Sequence, residues 1–445
     1  MFTWNADSTR DDDGGTVVQV RGHQSGRWHR VFTGPVRINW FGAKCDDSAD
    51  DHAAINRAMR AARHVLITGP CRVSRRLELP AGVTLAGAPG SRARLRPAGN
   101  FADEQLIVLT HPHVSLRNLE LRGDADARTR AGRYDGVSCY TQSASIEACR
   151  VHHFRSFGIY VGPGSRHVSI RDCDLFELHG WVGASGVYLR DSHDTEISDV
   201  RCWKINEEGR SAGTSVRTND GNGIYVGIGA RKTVLRDIRV RDVGRRAVKI
   251  QGADTQLVGL SAKGFGHSAV QVQLLVRDGG APLTDIHLSK IHAQGGAYGA
   301  VFEADIENVT LSGFAFTNQR DTGIDVRNGV ANLVVENGVV RDSRRWGVRV
   351  ERLTTAASAT RNITIEGVTT DNCYGPGRGA AIGVREGIGS IDGITIRYCR
   401  SINQRGPALQ VVGKHRRLRL IDNEFDSSVS IDDRTKALAV PDEEV

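Results

Sequence analysis

No stretch of about eighteen consecutive apolar residues occurs in this sequence, so a membrane-spanning helix and membrane insertion are not expected. The opening residues, MFTWNADSTRDDDGG, lack both the basic and the apolar region of a secretory signal, so Sec export is not expected either. The eight cysteines, at 45, 71, 139, 149, 173, 202, 373 and 399, form no CxxC pair, and neither HExxH nor a Cys/His cluster at zinc-like spacing is present. Neither a metal site nor a cofactor is expected. Proline is scarce (11 residues) while glycine is abundant (51), which points to tight turns in a folded chain rather than to disorder. Lysine is scarcer still, with eight among 59 basic residues, leaving 51 arginines in a chain of formal charge +8. Guanidinium forks suit carboxylate, sulfate and phosphate groups, although a codon bias that raised Arg, Ala and Gly together would give the same composition. The basic residues are scattered along the whole sequence with no nucleic-acid motif, which argues against a nucleic-acid partner.

What is present is repetition. Residues 144–151 read ASIEACRV and residues 168–175 read VSIRDCDL, with a cysteine at the same place in both. Taking that place as zero, apolar or small residues at −5, −3, 0 and +2 recur around Ala88, Leu119, Cys149, Cys173, Val200, Ile238, Leu260, Ile291, Phe314, Gly338, Val368, Cys399 and Asn423, thirteen rungs separated by 22 to 38 residues. The cysteines on this ladder are expected to point inward as small core hydrophobes, buried and unpaired. Each rung is followed by a second short strand, and the middle residues of those strands run Ser138, Tyr160, Tyr188, Tyr225, Lys249, Gln271, Phe302, Asp325, Arg349, Gly383 and Gln410. Period-2 alternation, turns rich in Gly, Asn and Asp, and a repeat too short for a βαβ unit describe an all-β solenoid of about thirteen coils.

The segments VRINWFGAKCDDSADDHAAINRAM (36–59) and VLITGPCRVSRRLELPAGVTLAGAPG (65–90) resemble the opening of the pectate-lyase superfamily. That resemblance implies a right-handed parallel β-helix whose N-terminal end is closed by a short helix, expected near 50–62. The family's GDG-x-x-DDT pattern becomes Cys45-Asp46-Asp47 and Asp50-Asp51-His52, so a glycine turn is altered while an Asp pair remains to cap the helix. Residues 2–36 resemble the segment preceding this domain in phage tail-spike and prophage depolymerase proteins. The implied organisation is an attachment segment (1–38), a β-helix (39–430) and a tail (431–445), with no separate C-terminal domain expected. The resemblance further implies a homotrimer that joins a phage tail or tail-like particle through residues 1–38.

In a solenoid the inward residues form the core, so a site is expected on an outward column beside inserted loops. Tyr160, Tyr188 and Tyr225 are expected to form an aromatic strip ending on Lys249, suited to a sugar chain carrying acidic groups, although tyrosine also favours strands without any ligand. The connections from Cys173 to Tyr188 and from Val200 to Tyr225 are longer than the eleven-residue spacing common elsewhere, and they carry Glu177, His179, Trp181, Glu207, Glu208, Arg210 and Asp220. Asp135, a further candidate catalytic residue, precedes Ser138, while His153 and Arg155 precede Tyr160, and Arg245 and Arg246 precede Lys249. The β-helix polygalacturonases offer a partial parallel. Their NTDG turn is echoed by Arg133-Tyr134-Asp135-Gly136 and their RIK strand by Lys249-Ile250-Gln251, but Ser156-Phe157-Gly158 stands where paired aspartates would follow.

Two chemistries stay open on these residues. Hydrolysis needs two carboxylates, one of them protonated, with Glu207, Glu208 and Asp220 as the pool. Elimination from a uronic acid needs a cation, from Arg245, Arg246 or Lys249, and a base, from His153, His179 or a tyrosine. The expected function is binding and depolymerising an acidic bacterial surface polysaccharide from a virion tail or another extracellular position. A non-catalytic adhesive spike is the alternative.

Overall fold

The computed structural model of the chain describes residues 1–124, 134–180, 183–207, 221–274, 282–352, 359–374, 379–386, 391–413 and 415–433. These form two compact units, the described residues of 1–201 with Glu207, and the described residues of 202–206 with those of 221–433. Both are built from parallel β-coils, so the fold class is a parallel β-solenoid, with about 13 turns along the chain. No helix among the described residues is long and apolar enough to cross a membrane.

The first unit opens with an antiparallel sheet in which Arg27–Arg30 pairs with both Phe2–Asn5 and Val17–Gln19. An α-helix, the single one among the described residues, follows at His52–Ala61, burying Ala54, Ile55, Ala58 and Met59, close to the range expected from sequence. The Asp pair divides its work differently from simple capping. Asp50 Oδ1 accepts the N–H groups of His52 (3.1 Å) and Ser74 (3.0 Å), whereas the Asp51 carboxylate accepts those of Lys44 (2.7 Å) and Cys45 (3.1 Å). Cys45 (φ 50°) and Asp47 (φ 60°), standing where the resembled pattern has glycine, both adopt the left-handed conformation glycine would take.

Beyond the helix the strands stack coil on coil. Leu85, Leu116, Ile146, Ile170 and Ile197 align in one buried column, and Ile107, Val137, Ile159 and Val187 in another. Each such side chain contributes roughly 1.5–3 kcal/mol through burial. Cys149 and Cys173 lie buried in this interior as free thiols, as the ladder requires.

In the second unit the same logic uses longer bent strands, including Arg231–Val243, Ala253–Phe265, Leu283–Gln294, Ile306–Thr317 and Val330–Arg341. Ile238, Leu260, Ile291 and Phe314 pair in register, and Gly338 with Val368, so the predicted rungs are real. Each bend falls on a left-handed residue: Asp237, Gly259, Lys290, Gly313, Asn337 and Gly367. At Gly259 (φ 80°) an added Cβ would lie 2.8 Å from Asp237 Oδ1, so a side chain there would have to displace that carboxylate as well as adopt a disfavoured conformation. A second corner is stitched by an amide ladder in which Asn362 donates to Asn332 (2.9 Å), Asn332 to Asn308 (3.1 Å) and Asn308 to Asp285 (3.4 Å).

Candidate functional site

The strands of the 14-stranded sheet, one from each successive coil, turn one row of side chains out of the solenoid. In the first unit that row is Glu78, Val108, Ser138, Tyr160 and Tyr188, paired position by position. Period-2 alternation forces this, since the flanking Ile159 and Val161 fill the interior. Tyr160 and Tyr188 lie with ring centroids 5.4 Å apart, Phe157 sits 4.8 Å from Tyr188 and 5.8 Å from Tyr160, and Tyr140 closes edge-on to Tyr160 at 5.8 Å. Of the three tyrosines expected to form a strip, Tyr160 and Tyr188 meet here, in a four-ring cluster with Phe157 and Tyr140. One expectation needs correction: Tyr160 is only 4% exposed, because its neighbours cover it, while Tyr140 is 39% exposed and Tyr188 and Phe157 are half-buried. Tyr160 is packing as well as surface.

Asp135 is fully buried. Its Oδ2 accepts the Ser138 hydroxyl (3.0 Å) and its Oδ1 the N–H of Phe157 (3.2 Å) in the next coil, so it staples two coils under the aromatic cluster. His153 is a left-handed corner residue whose Nε2 lies 3.4 Å from Glu177 Oε2, and Glu177 is itself left-handed. His153 Nδ1 lies 2.6 Å from His152 Nδ1, and His152 Nε2 lies 3.2 Å from Glu120 Oε1, with the His152 ring stacked on Phe176 at 4.5 Å. That His152 contact, helped against burial by Arg94 and Arg150, holds the Glu120 carboxyl down to about 2. Arg155 is half-buried and donates its backbone N–H to the Tyr134 carbonyl (3.1 Å); His179, also half-buried, donates its own to the Phe154 carbonyl (3.0 Å).

Two groups in this unit gather metal-type ligands within 4.8 Å: His152, His153 and Glu177, and Cys45, Asp51 and Cys71. Sequence spacing did not reveal either, because their members come from different coils or from opposite sides of the cap. A pocket at the start of the outward row is lined by His52, Arg75, Arg76, Glu78 and Asp103. Asp103 Oδ2 accepts the Arg76 N–H at 2.8 Å and lies 3.5 Å from Arg75 Nε. Two guanidinium groups and two carboxylates there give a polar recess able to hold hydroxyl or acidic groups.

In the second unit the outward row runs Tyr225, Lys249, Gln271, Val301, Asp325, Arg349, Gly383 and Gln410. Phe302, expected in this row, is instead buried in the interior between Val272 and Val326, and Val301 takes its place. Lys249 lies 4.4 Å from the centre of the Tyr225 ring, so one tyrosine and one cation do meet, with the Tyr225 hydroxyl bonded to Gln251. Lys249 and Arg246 are both buried, and Arg246 Nε donates to Gln271, which in turn donates to Glu303. The chain of polar contacts continues from Glu303 to Arg327 (2.8 Å), Arg327 to Asp325 (2.7 Å), Asp325 to Arg349 (2.7 Å) and Arg349 to Glu351 (3.2 Å). His267 packs 5.0 Å from Tyr298, and burial, reinforced by Arg246, Arg245 and Arg327, pushes its imidazole down to about 3. It is therefore neutral over the physiological range.

Of the carboxylates expected to drive hydrolysis, Glu208 and Asp220 lie outside the described residues, as do Trp181 and Arg210. Glu207 closes the strand Arg201–Glu207. The described acidic residues of the second unit's outward network, Glu303, Asp325 and Glu351, are all bonded to guanidinium groups, which suits them to architecture and not to donating a proton.

These features define a parallel β-solenoid with an outward aromatic cluster in one unit and an outward charge-paired ladder in the other. No protein-family model matches the chain, and no curated protein does. Among solved structures, the N-terminal fragment of bacteriophage phi29 gene product 12 matches 85% of this chain and 71% of that one, with TM-score 0.58 and 16% identity. The A-module of a mannuronan C-5 epimerase from Azotobacter vinelandii matches 88% of this chain and 99% of its own length, with TM-score 0.54 and 15% identity. A full-length tailspike protein 2 from an Escherichia coli bacteriophage matches 92% of this chain with TM-score 0.47 and 12% identity, and the chain spans 50% of its length. At these identities the first two likenesses establish the fold.

Proposed function

We propose that this chain binds and depolymerises an anionic bacterial surface polysaccharide. The observation that carries the reading is the cluster of Tyr140, Phe157, Tyr160 and Tyr188 on the outward row of the first unit. Rings arranged this way offer flat apolar faces to sugar rings, and the half-buried Tyr188 and exposed Tyr140 are reachable. Arginine's dominance among the cations supports an acidic substrate, with Arg155 in the first unit and Arg245, Arg246 and Lys249 in the second as the cations assigned to it. Glu207, Glu208 and Asp220 are the residues assigned to hydrolysis; His153 and His179 are the bases assigned to elimination, with Asp135 holding the aromatic coils together. Residues 1–38 would attach a homotrimer of the chain to a phage tail or similar particle, a reading supported by the resemblance of that segment and by the fold's occurrence in phage proteins.

The test is incubation of the purified chain with surface polysaccharides from candidate hosts, read by fragment mass and ultraviolet absorbance. Fragments heavier by one water establish a hydrolase, and fragments bearing a new absorbing double bond establish a lyase. Retention of a polysaccharide without cleavage would replace the reading by the adhesive one. Neither retention nor cleavage across acidic polysaccharides would overturn it.

A further inference from the structure

We propose that Cys45 and Cys71 are a disulfide-forming pair that locks the N-terminal cap onto the first coil under oxidising conditions. The two sulfurs lie 3.1 Å apart although the residues are 26 positions apart in sequence. Cys45 sits in the turn before the helix, half-buried, while Cys71 is fully buried in the strand Pro70–Val73. The turn is already held for the encounter: the Asp51 carboxylate takes the N–H groups of Lys44 and Cys45, and the Cys45 backbone is left-handed at φ 50°.

The chemistry of the pair is asymmetric in the useful direction. Cys71 donates its S–H to Cys45 Sγ, and of the two sulfurs only that of half-buried Cys45 is open to a reagent from solvent. Thr68 Oγ1, 3.5 Å from the Cys45 sulfur, adds a second polar contact. Cys45 is thus the more accessible thiol and, once deprotonated, the attacking group. With a small disulfide such as oxidised glutathione as oxidant, Cys45 S⁻ attacks one sulfur, forms a mixed disulfide and releases one thiolate. Cys71 then loses its proton and attacks Cys45 Sγ, forming the Cys45–Cys71 bond and releasing the second thiol, so two protein thiols are oxidised as one disulfide is reduced. The other six cysteines (139, 149, 173, 202, 373 and 399) are buried in the coils, out of reach of such an oxidant.

The experiment uses the full chain, purified reduced, then equilibrated with oxidised glutathione, alkylated and mapped by mass spectrometry. The expected product is two hydrogens lighter, carries a linked Cys45–Cys71 peptide, leaves the other six cysteines as thiols, and melts at least about 2 °C higher than the reduced chain. Cys71→Ser and Cys45→Gly both remove the shift, and the glycine variant keeps the turn's backbone conformation and so separates lost cross-linking from lost folding. A stable glutathione adduct on Cys45 with Cys71 unlinked would overturn the proposal. So would stoichiometric zinc in the purified chain that protects both thiols and prevents the cross-link.

Discussion

Arg349 grips Asp325 from the neighbouring coil with both edges of its guanidinium, Nε 2.8 Å from Oδ1 and Nη2 2.7 Å from Oδ2, and the aspartate has no solvent exposure. Arg327 adds a third contact at 2.7 Å. A buried pair of this kind stabilises little relative to apolar residues, but breaking it strands an uncompensated charge. Asp325→Ala should therefore lower stability by about 3–5 kcal/mol in urea denaturation, while the double replacement Asp325→Leu with Arg349→Met should recover much of that loss. Unchanged stability in Asp325→Ala would show that the ladder is solvated surface.

The aromatic cluster separates packing from recognition residue by residue. Tyr160→Ala opens a cavity among Tyr140, Phe157 and Tyr188 and should cost about 3 kcal/mol in thermal or urea unfolding. Tyr140→Ala, at an exposed ring, should change stability by less than about 0.5 kcal/mol. Both Tyr140→Ala and Tyr188→Ala should weaken retention of a bound polysaccharide, each by roughly 1 kcal/mol in calorimetry. Equal binding by both variants and the parent would leave the cluster as coil packing alone.

The coil ladder was legible because apolar periodicity and backbone register are the same physical constraint, as the pairing of Ile238, Leu260, Ile291 and Phe314 shows. Phe302 was misplaced because Ala300, Val301 and Phe302 are all apolar, so alternation gives no preference between two registers that differ by one residue. Asp325 and Arg349 were both readable as outward, yet their mutual neutralisation depends on a contact between coils 24 residues apart. The contacts of Cys45 with Cys71, and of His152 with Glu120, join segments that no local pattern links. Sequence thus located surfaces, and left open which charges on them are already spent on one another.

Acid should weaken the fold in two stages. His267 is about 3 in the folded chain against an unfolded value near 6.5, so the unfolded state binds more protons between these limits and stability falls as pH drops through that window, by up to about 1.4 kcal/mol per pH unit. Glu120, about 2 when folded against about 4.5 unfolded, contributes stability that is present above pH 4.5 and lost as pH falls toward 2. Urea midpoints measured from pH 8 to pH 3 should show a flatter upper stage in His267→Gln and a flatter lower stage in Glu120→Gln. Parallel curves for parent and variants would remove both residues as the source.

Turnover, if the chain cleaves its glycan, should sort the two chemistries by which variants fail. For a hydrolase, Glu207→Gln, Glu208→Gln or Asp220→Asn should cut cleavage by a hundredfold or more, about 2.7 kcal/mol in transition-state terms, while leaving polysaccharide retention intact. For a lyase, the damaging replacements should be His153→Gln, His179→Gln, Arg245→Ala or Lys249→Ala, with products absorbing in the ultraviolet. Lys249 and Arg246 are buried, and Lys249 rests on the Tyr225 ring, so their variants need melting curves beside the rates to separate lost folding from lost charge. His153 faces Glu177 at 3.4 Å, so a role as base further predicts that Glu177→Gln shifts the pH dependence of cleavage without abolishing it. Cleavage retained in every one of these variants would move the chemistry to another face, with the pocket of His52, Glu78 and Asp103 as the next place to mutate.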